Sequence, residues 1–320
     1  MKYFVLACLC VVALGVLSLF IGVSDVTPAT LLDPATSAHA FEMLMVSRVP
    51  RTLALVLAGA ALSVAGLIMQ MLVRNRFVEP STAGTVESAS LGLLVVMLLA
   101  PGLPVILKML VAAAFALAGT AVFLGILRRV PLRSEFIVPL IGIMLGGVIE
   151  AGTNFVAYRY DLLQSLNAYM IGDFSAILRG RYELLWISFG LTCVAYIAAD
   201  RFTVAGLGQD FTTNLGLDYR KVMALGMVIV SLVTATVVVT CGVIPFLGLV
   251  VPNIVRLVIG DHLRRTLPWV ALLGAALVIS CDIVARLVIA PYEIPIGTIM
   301  GVIGSGLFLY FLLRRRGHGE

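Results

Sequence analysis

Long apolar runs recur along almost the whole chain and constrain its fold more than any other feature. A helix needs about 20 apolar residues to cross the hydrocarbon core of a bilayer. Runs near this length, separated by short polar connections, cover residues 4–23, 52–73, 83–100, 104–127, 136–157, 184–199, 222–244, 245–260, 267–290 and 294–313. The sequence therefore predicts an all-α, polytopic membrane protein with ten transmembrane helices.

The composition excludes a soluble domain. Hydrophobic residues make up 61% of the 320 residues and charged residues only 12%, whereas roughly 25% of an ordinary soluble domain is charged. The mean hydropathy is +1.10. We expect residues 1–320 to form a single transmembrane domain with no room for a nucleotide-binding domain. No GxxxxGK[ST] loop occurs, so any ATP would have to be bound by another chain.

Two of the runs allow a second interpretation. Residues 4–23 could be a signal peptide, but the run is long for one and the Ala-His-Ala sequence at 38–40 lies too far away for cleavage at its edge. We therefore expect it to be the first span. Residues 245–260 are short and contain Pro252 and Arg256. A re-entrant segment here would leave nine spans.

The basic residues test this topology. With ten spans and a cytoplasmic N-terminus, 15 of the 22 basic residues fall at cytoplasmic ends of spans. This bias follows the positive-inside rule and predicts that both termini are cytoplasmic. The remaining basic residues fall on the outer side: Arg48, Arg51, Lys108, Arg159, Arg179, Arg181 and Arg286.

Cysteine and histidine offer no further chemistry. The five cysteines lie in apolar runs without CxxC spacing, and the three histidines are scattered. The pattern predicts neither a disulfide framework nor a metal site. The net charge of +5 reflects basic residues at span ends, so it indicates a lipid bilayer and not a nucleic acid as the partner.

Ionisable residues inside the apolar spans mark candidate functional positions, because burying them in lipid is costly. Asp282 and Arg286 have i, i+4 spacing and can form a local ion pair. Glu150 has Asn154 one turn later, which favours a polar stripe facing a transport pathway. Glu87 begins the third span at the membrane interface. A secondary transporter could use these carboxylates as proton relays, and this alternative stays open.

Glycines at four-residue spacing in the fifth and tenth spans permit close helix packing. Gly142 and Gly146 share a helix face with Glu150, and Gly297 and Gly301 repeat the spacing near the C-terminus. We expect these residues to line a pathway or a subunit interface. Ordinary packing within one subunit is the alternative.

The longest predicted cytoplasmic connection, residues 206–221, reads GLGQDFTTNLGLDYRK. Residues 210–215 can form a short helix, and Gly216 suits the C′ position that ends one. A compact knob of this kind could dock into a groove on a partner. A solvated surface loop is the alternative.

Five segments of the chain carry recognisable motifs in a fixed order. They are Arg48-Val49-Pro50-Arg51; Gly66…Gln70…Arg74-Asn75; Asp210…Gly216; residues 242–252 with Arg256 and Gly260-Asp261-His262; and Asp282…Arg286 with Glu293-Ile294-Pro295-Ile296-Gly297. Together they resemble the FecCD-type permeases of bacterial ABC importers, from about residue 45 to the C-terminus. Residues 74–85 resemble the subgroup that handles catecholate-type siderophores.

This resemblance implies an ABC type II importer permease fold with ten transmembrane helices in the bacterial inner membrane. It implies a second permease subunit, either a copy or a paralogue, two ABC ATPases and a periplasmic siderophore-binding protein. The permease would be a transport subunit and not an enzyme. It would bind no cofactor, and ATP and magnesium would reside on the ATPases.

The resemblance also assigns roles to residues. Arg48, Arg51 and Arg286 would receive acidic residues of the docked binding protein. The residues that would couple to the ATPase are Asp210, Phe211, Thr212, Asn214, Leu215 and Gly216. We expect a ferric siderophore as cargo. Vitamin B12 or haem, a secondary transporter, and a non-transporting scaffold remain alternatives.

Overall fold

The protein is an α-helical bundle in the computed structural model, which describes residues 2–22, 27, 30–31, 33, 37–130 and 136–315. No β-strand is present among these residues. The helices are α1 (Lys2–Phe20), α2 (Ser37–Met43), α3 (Val49–Val73), α4 (Thr85–Leu99), α5 (Val105–Leu127), α6 (Ile137–Arg159), α7 (Leu163–Met170), α8 (Leu185–Ile197), α9 (Ala199–Ala205), α10 (Gln209–Asn214), α11 (Tyr219–Cys241), α12 (Leu247–Ile259), α13 (Leu263–Leu287) and α14 (Ile296–Arg315).

Helix α3 occupies the centre of the bundle. It continues from α2 through a π-helical segment, Leu44–Arg48, so that Ser37–Val73 forms 37 helical residues in a row, most of them buried. Helices α8, α11, α12 and α13 pack around it. Pi-helical turns often occur at functional positions, and this one ends on Arg48.

Helices α3 and α12 approach each other at two glycines. A Cβ atom built on Gly66 would lie 2.1 Å from the carbonyl oxygen of Gly248, so no side chain fits between the two backbones. This contact sets the depth of α12 in the bundle. It also explains why the position of Gly66 has no side chain.

Every predicted span is confirmed as helical, although residue 23 of the first one lies outside the described residues. Within the described part of the chain, six helical segments are long and apolar enough to cross a membrane, so the chain is a multi-pass membrane protein. They are Lys2–Phe20, Ser37–Val73, Val105–Leu127, Ile137–Arg159, Tyr219–Cys241 and Leu263–Leu287.

The remaining predicted spans differ from simple straight helices. Helix α8 qualifies only together with α9 and the preceding turn, and the pair is bent by 64°. Helices α4, α12 and α14 are apolar but shorter. The 13 residues of α12 extend only about 20 Å, less than the hydrocarbon thickness of about 30 Å. The structure therefore does not confirm ten independent crossings.

Candidate functional sites

A buried cluster of charges, here called the arginine cluster, consists of Arg48, Arg51, Asp282, Arg286 and Glu293. Arg51 Nη2 on α3 donates to Asp282 Oδ1 on α13 at 2.7 Å. Arg51 Nη1 lies 2.8 Å from Glu293 Oε2. Arg286, one turn after Asp282, donates to Oδ2 of the same carboxylate. Two guanidinium groups thus satisfy both oxygens of the fully buried Asp282.

Two of these arginines also hold the end of α1. Arg286 Nη1 donates to the carbonyl oxygens of Ser18 at 2.9 Å and Ile21 at 2.6 Å, and its Nη2 donates to the Ser18 hydroxyl at 2.6 Å. Arg48 donates to the Ile21 carbonyl as well. The last carbonyls of a helix lack intrahelical donors and carry partial negative charge. The two cations therefore attach α1 to the core of the bundle.

The predicted ion pair between Asp282 and Arg286 is confirmed, and the structure brings all three predicted docking arginines together. Arg48, Arg51 and Arg286 are only 8%, 8% and 4% exposed, because their guanidinium groups face partners within the protein. Docking of a binding protein on them stays a prediction. Sequence reasoning did not assign Glu293 as a counter-charge, although it is the one acidic residue between the last two predicted spans.

A second polar network lies at the other end of α3. Arg256 of α12 donates to Gln70 Oε1 at 2.9 Å, and Gln70 Nε2 donates to the Gly248 carbonyl at 3.3 Å. Asp261 bridges Arg256 and Arg76, with contacts of 3.5 and 3.4 Å. These contacts explain why the short run 245–260 contains an arginine. They also join two motifs that lie far apart in the sequence.

The buried carboxylate of Glu79 contacts the backbone at the beginning of α12. Its Oε1 accepts the backbone N–H of Phe246 at 2.8 Å and the hydroxyl of Ser81 at 2.5 Å. Phe246 has left-handed geometry, with φ of 62°. A carboxylate at this position satisfies donors at a helix N-terminus and complements its partial positive charge. Sequence reasoning did not single out Glu79, because its partner lies 167 positions away.

The loop of residues 206–221, here called the knob, folds as predicted into a helix that ends at Gly216. Helix α10 is followed by Gly216 with φ of 77°. The Leu217 amide donates to the Thr212 carbonyl at 3.1 Å, and the Gly216 amide donates to the Thr213 carbonyl at 2.9 Å. This pair of bonds is the Schellman motif.

The knob presents an apolar surface. The large side chains of Phe211 and Leu215 are 64% and 63% exposed, and they lie one turn apart. These two side chains give the knob an apolar face, and coupling to an ATPase through it stays a prediction. The exposed members of the predicted coupling set are Asp210, Phe211, Asn214, Leu215 and Gly216.

Thr212 corrects the predicted coupling surface. It is fully buried, and its hydroxyl donates to the Gly208 carbonyl at 2.6 Å. A partner docked on the knob could not touch this side chain. Thr212 instead anchors α10 to the rest of the loop.

Asp218 caps the helix that follows the knob. One of its carboxylate oxygens accepts the amides of Lys221 at 3.2 Å and Arg220 at 3.0 Å, and the other lies 3.4 Å from the Lys221 ammonium. The hydrogen bond from the Lys221 amide, together with these contacts, holds the pKa of Asp218 below its usual value. The knob thus ends on a charged N-cap.

A polar cavity of about 240 Å³ lies beside α4 and α6. It contains Glu150 and Asn154, which were predicted as pathway residues, and it adds Glu87. Gly146 makes room for Glu87, because a Cβ atom there would lie 3.2 Å from the carboxyl carbon of Glu87. The complete lining is Val86, Glu87, Ser90, Glu150, Thr153, Asn154, Leu166, Asn167, Met170 and Val243.

The other predicted pathway glycines contact their own subunit. A Cβ atom on Gly142 would lie 1.9 Å from the Thr82 carbonyl oxygen, and one on Gly297 would lie 2.9 Å from that of Val243. Gly301 is less crowded, with a nearest atom at 3.9 Å. These contacts support the alternative of packing within one subunit. Pathway or interface lining by these glycines stays a prediction.

Long apolar helices held together by buried charges make this chain a multi-pass membrane protein with an exposed knob and a cavity beside α4 and α6. The fold is shared with a metal-chelate type ABC transporter in an inward-facing conformation, with a TM-score of 0.82 and 22% identity over 98% of this chain and 99% of that chain. Residues 9–314 match the FecCD transport family, and the chain belongs to this family.

Two relatives match over nearly their whole length. The petrobactin import system permease protein YclN of Bacillus subtilis is 48% identical over 96% of this chain and 96% of its own. The ferric-anguibactin transport system permease protein FatD of Vibrio anguillarum is 42% identical over 93% of this chain and 94% of its own. Both are transport subunits and not enzymes.

Proposed function

We propose that the chain is the permease subunit of an ATP-driven ABC importer that moves a ferric siderophore across the bacterial inner membrane. The observation that carries this proposal is the near full-length similarity to permeases named for petrobactin and ferric-anguibactin. The shared fold with a metal-chelate type ABC transporter supports it. Vitamin B12 and haem are alternative cargoes.

The proposed topology has ten crossings, in the type II importer arrangement. The bent pair of α8 and α9 counts as one crossing, and the shorter α4, α12 and α14 complete the set. A short helix can serve where neighbouring protein buries its ends. An even number of crossings, together with the distribution of basic residues, supports the proposal that both termini are cytoplasmic.

The knob is the proposed contact with the ATPase. Its exposed Phe211 and Leu215 would enter a groove on that partner, and the structure around Gly216 would transmit force to α11. Two ATPases would supply ATP and magnesium, and a second permease subunit, identical or paralogous, would complete the complex. We propose no cofactor or metal on this chain.

The arginine cluster is the proposed contact with the periplasmic binding protein. The cluster contains three arginines and two carboxylates, so it carries an excess positive charge. An acidic side chain of the binding protein would complement it, since arginine can bind a carboxylate through two hydrogen bonds. Such charges act mainly on the association rate.

Reconstitution tests the proposed function. The permease, its ATPases and its binding protein are placed in vesicles, and uptake of ⁵⁵Fe-siderophore is measured with ATP and with an ionophore that removes ion gradients. We expect uptake that requires ATP and persists without gradients. An ATPase variant that does not hydrolyse ATP is the control. Uptake driven by a proton gradient alone would indicate a secondary transporter, and competition by cyanocobalamin or haem would reassign the cargo.

A further inference from the structure

Among the described residues, the cavity beside α4 and α6 is lined by two carboxyl groups and by no cationic side chain. Two carboxylates, Glu87 and Glu150, contribute to its lining, and the lining contains no lysine, arginine or histidine. Glu87 Oε2 is buried and has no hydrogen-bond partner within the described part of the chain. Burying an unpaired carboxylate oxygen, as in Glu87, is costly. The cavity is therefore electrostatically incomplete as it stands.

The position of Glu150 indicates what the cavity faces. Glu150 lies in the interior of α6, a helix long and apolar enough to span a membrane, and its side chain is exposed. A carboxylate at that depth cannot face lipid without a large cost, so it faces water or protein. The surface that carries Glu150 and Asn154 therefore belongs to an aqueous path or a subunit contact.

We propose that this cavity is a subsite of the transport path that binds a positively charged alkylamine group of the cargo. The inference rests on the proposed function as an importer. The carboxylates of Glu87 and Glu150 would pair with the ammonium. The amide oxygens of Asn154 and Asn167 and the hydroxyl of the buried Ser90 are the candidate acceptors for its third hydrogen.

The apolar part of the lining favours an alkylamine over a bare metal ion. Val86, Leu166, Met170 and Val243 contribute apolar walls, which suit the methylene groups next to an ammonium. A volume of about 240 Å³ corresponds to several water molecules at roughly 30 Å³ each, far more than one ion occupies. In the described residues, no group of three or more His, Cys, Asp and Glu side chains could hold a metal.

A binding measurement on the purified permease–ATPase complex tests the subsite without any transport. The probe is 1,4-diaminobutane, and the readout is the midpoint of thermal unfolding across a concentration series. We expect a saturable rise with the diamine and none with the neutral 1,4-butanediol. Sodium and magnesium chloride at equal ionic strength separate the ammonium from inorganic cations. An equal shift with either salt, or no shift with the diamine, overturns the proposal.

Variants assign the effect to the cavity. Glu87→Gln and Glu150→Gln keep the side-chain shape and remove the charge. Each should raise the diamine concentration needed for half-saturation roughly tenfold or more, because one charge-assisted contact is lost. Glu150→Asp keeps the charge and should retain binding. Glu42→Gln removes an exposed carboxylate outside the lining and is the matched control. Unchanged half-saturation in both Gln variants contradicts the assignment.

A transport measurement connects the subsite to the cargo. Two synthetic ferric bis-catecholates are compared, one with a free amine in its linker and one with that amine acetylated. The unmodified complex should import the free amine faster, and Glu150→Gln should remove this preference. A preference that survives in Glu150→Gln overturns the subsite alone. If neither chelate nor any natural siderophore were imported with ATP, the importer function would be contradicted. The diamine-binding measurement would still test the subsite on its own.

Discussion

Arg51 and Asp282 are 231 positions apart in the chain and form a buried ion pair, with Arg51 Nη2 2.7 Å from Asp282 Oδ1. The pair joins the central helix α3 to α13, which packs against it. Because Arg286 and Glu293 share the same cluster, the interaction links α1, α3, α13 and the turn before α14. It therefore fixes one end of the bundle.

Removing the charge of Asp282 should destabilise the protein strongly. Asp282→Asn leaves Arg51 and Arg286 buried with only Glu293 as a counter-charge, and breaking a buried pair in this way costs about 3–5 kcal/mol. We expect a lower midpoint of thermal unfolding in detergent and earlier proteolysis near the end of α1. Asp161→Asn is the matched control, because Asp161 is exposed and its positive φ suits asparagine. Equal stability of the two variants would contradict this account.

Docking of the binding protein should depend on Arg48. Its guanidinium donates to the carbonyl of Ile21, just after α1, whereas that of Arg51 contacts the carboxylates of Asp282 and Glu293. We therefore test Arg48→Glu, which leaves the Arg51–Asp282 pair in place. We expect a slower association rate, with the largest loss at low salt. The measurement is surface plasmon resonance on reconstituted permease at two ionic strengths. Arg181→Glu, a reversal at an exposed arginine, should have little effect, and an equal loss there would argue against a specific role for Arg48.

Local sequence was sufficient to predict several features of the structure. The helix that ends at Gly216 and the pair of Asp282 with Arg286 depend on residues within one or two turns of each other. Their geometry follows from helix periodicity and capping alone. The apolar runs likewise predicted where helices occur, because lipid requires internally satisfied backbone.

Features that depend on packing between distant segments were not predictable in the same way. Glu79 caps a helix 167 positions later, and Glu87 fits beside Gly146 only because two helices meet there. The burial of Thr212 depends on how the knob packs against α9, where the Val204 carbonyl accepts the Thr212 hydroxyl. A single sequence contains no distance information of this kind, so these contacts become visible only in three dimensions.

The close approach of α3 and α12 should not tolerate a methyl group. In Gly66→Ala the new Cβ would meet the Gly248 carbonyl at 2.1 Å, and overpacking of this type costs about 1–3 kcal/mol. Gly125→Ala is the matched control, since no atom lies within 4 Å of the position and alanine in a helix gains up to about 1 kcal/mol. Thermal unfolding of both variants should shift in opposite directions. A stabilised Gly66→Ala would show that the helices do not meet this closely.

Asp218 should make the free energy of unfolding depend on pH in the acidic range. Its pKa is lower in the folded protein than in the unfolded chain, so its contribution is complete above the unfolded value of about 3.9. The contribution is lost as the pH falls through the folded value. Asp218→Asn keeps the N-cap acceptor and removes this titration. The measurement is the midpoint of thermal unfolding of both proteins at a series of pH values from about 3 to about 7. The two midpoints should differ above about pH 5 and converge in acid. A difference that stays constant with pH would contradict the prediction.

Gly216 should be required for coupling and not for assembly. Its φ of 77° is the left-handed geometry, which costs a residue with a Cβ roughly 1–2 kcal/mol, and a β-branched side chain worsens the strain. Because no atom lies within 4 Å of the position, Gly216→Val acts through the backbone and not through a clash. We expect normal insertion, retained ATPase binding, loss of ATP-driven uptake and ATP hydrolysis uncoupled from transport. Gly180→Val is the matched control, since Gly180 also has positive φ, 95°, in open space but lies outside the knob. Full uptake by Gly216→Val, or equal loss in both variants, would show that the geometry of the knob does not couple hydrolysis to transport.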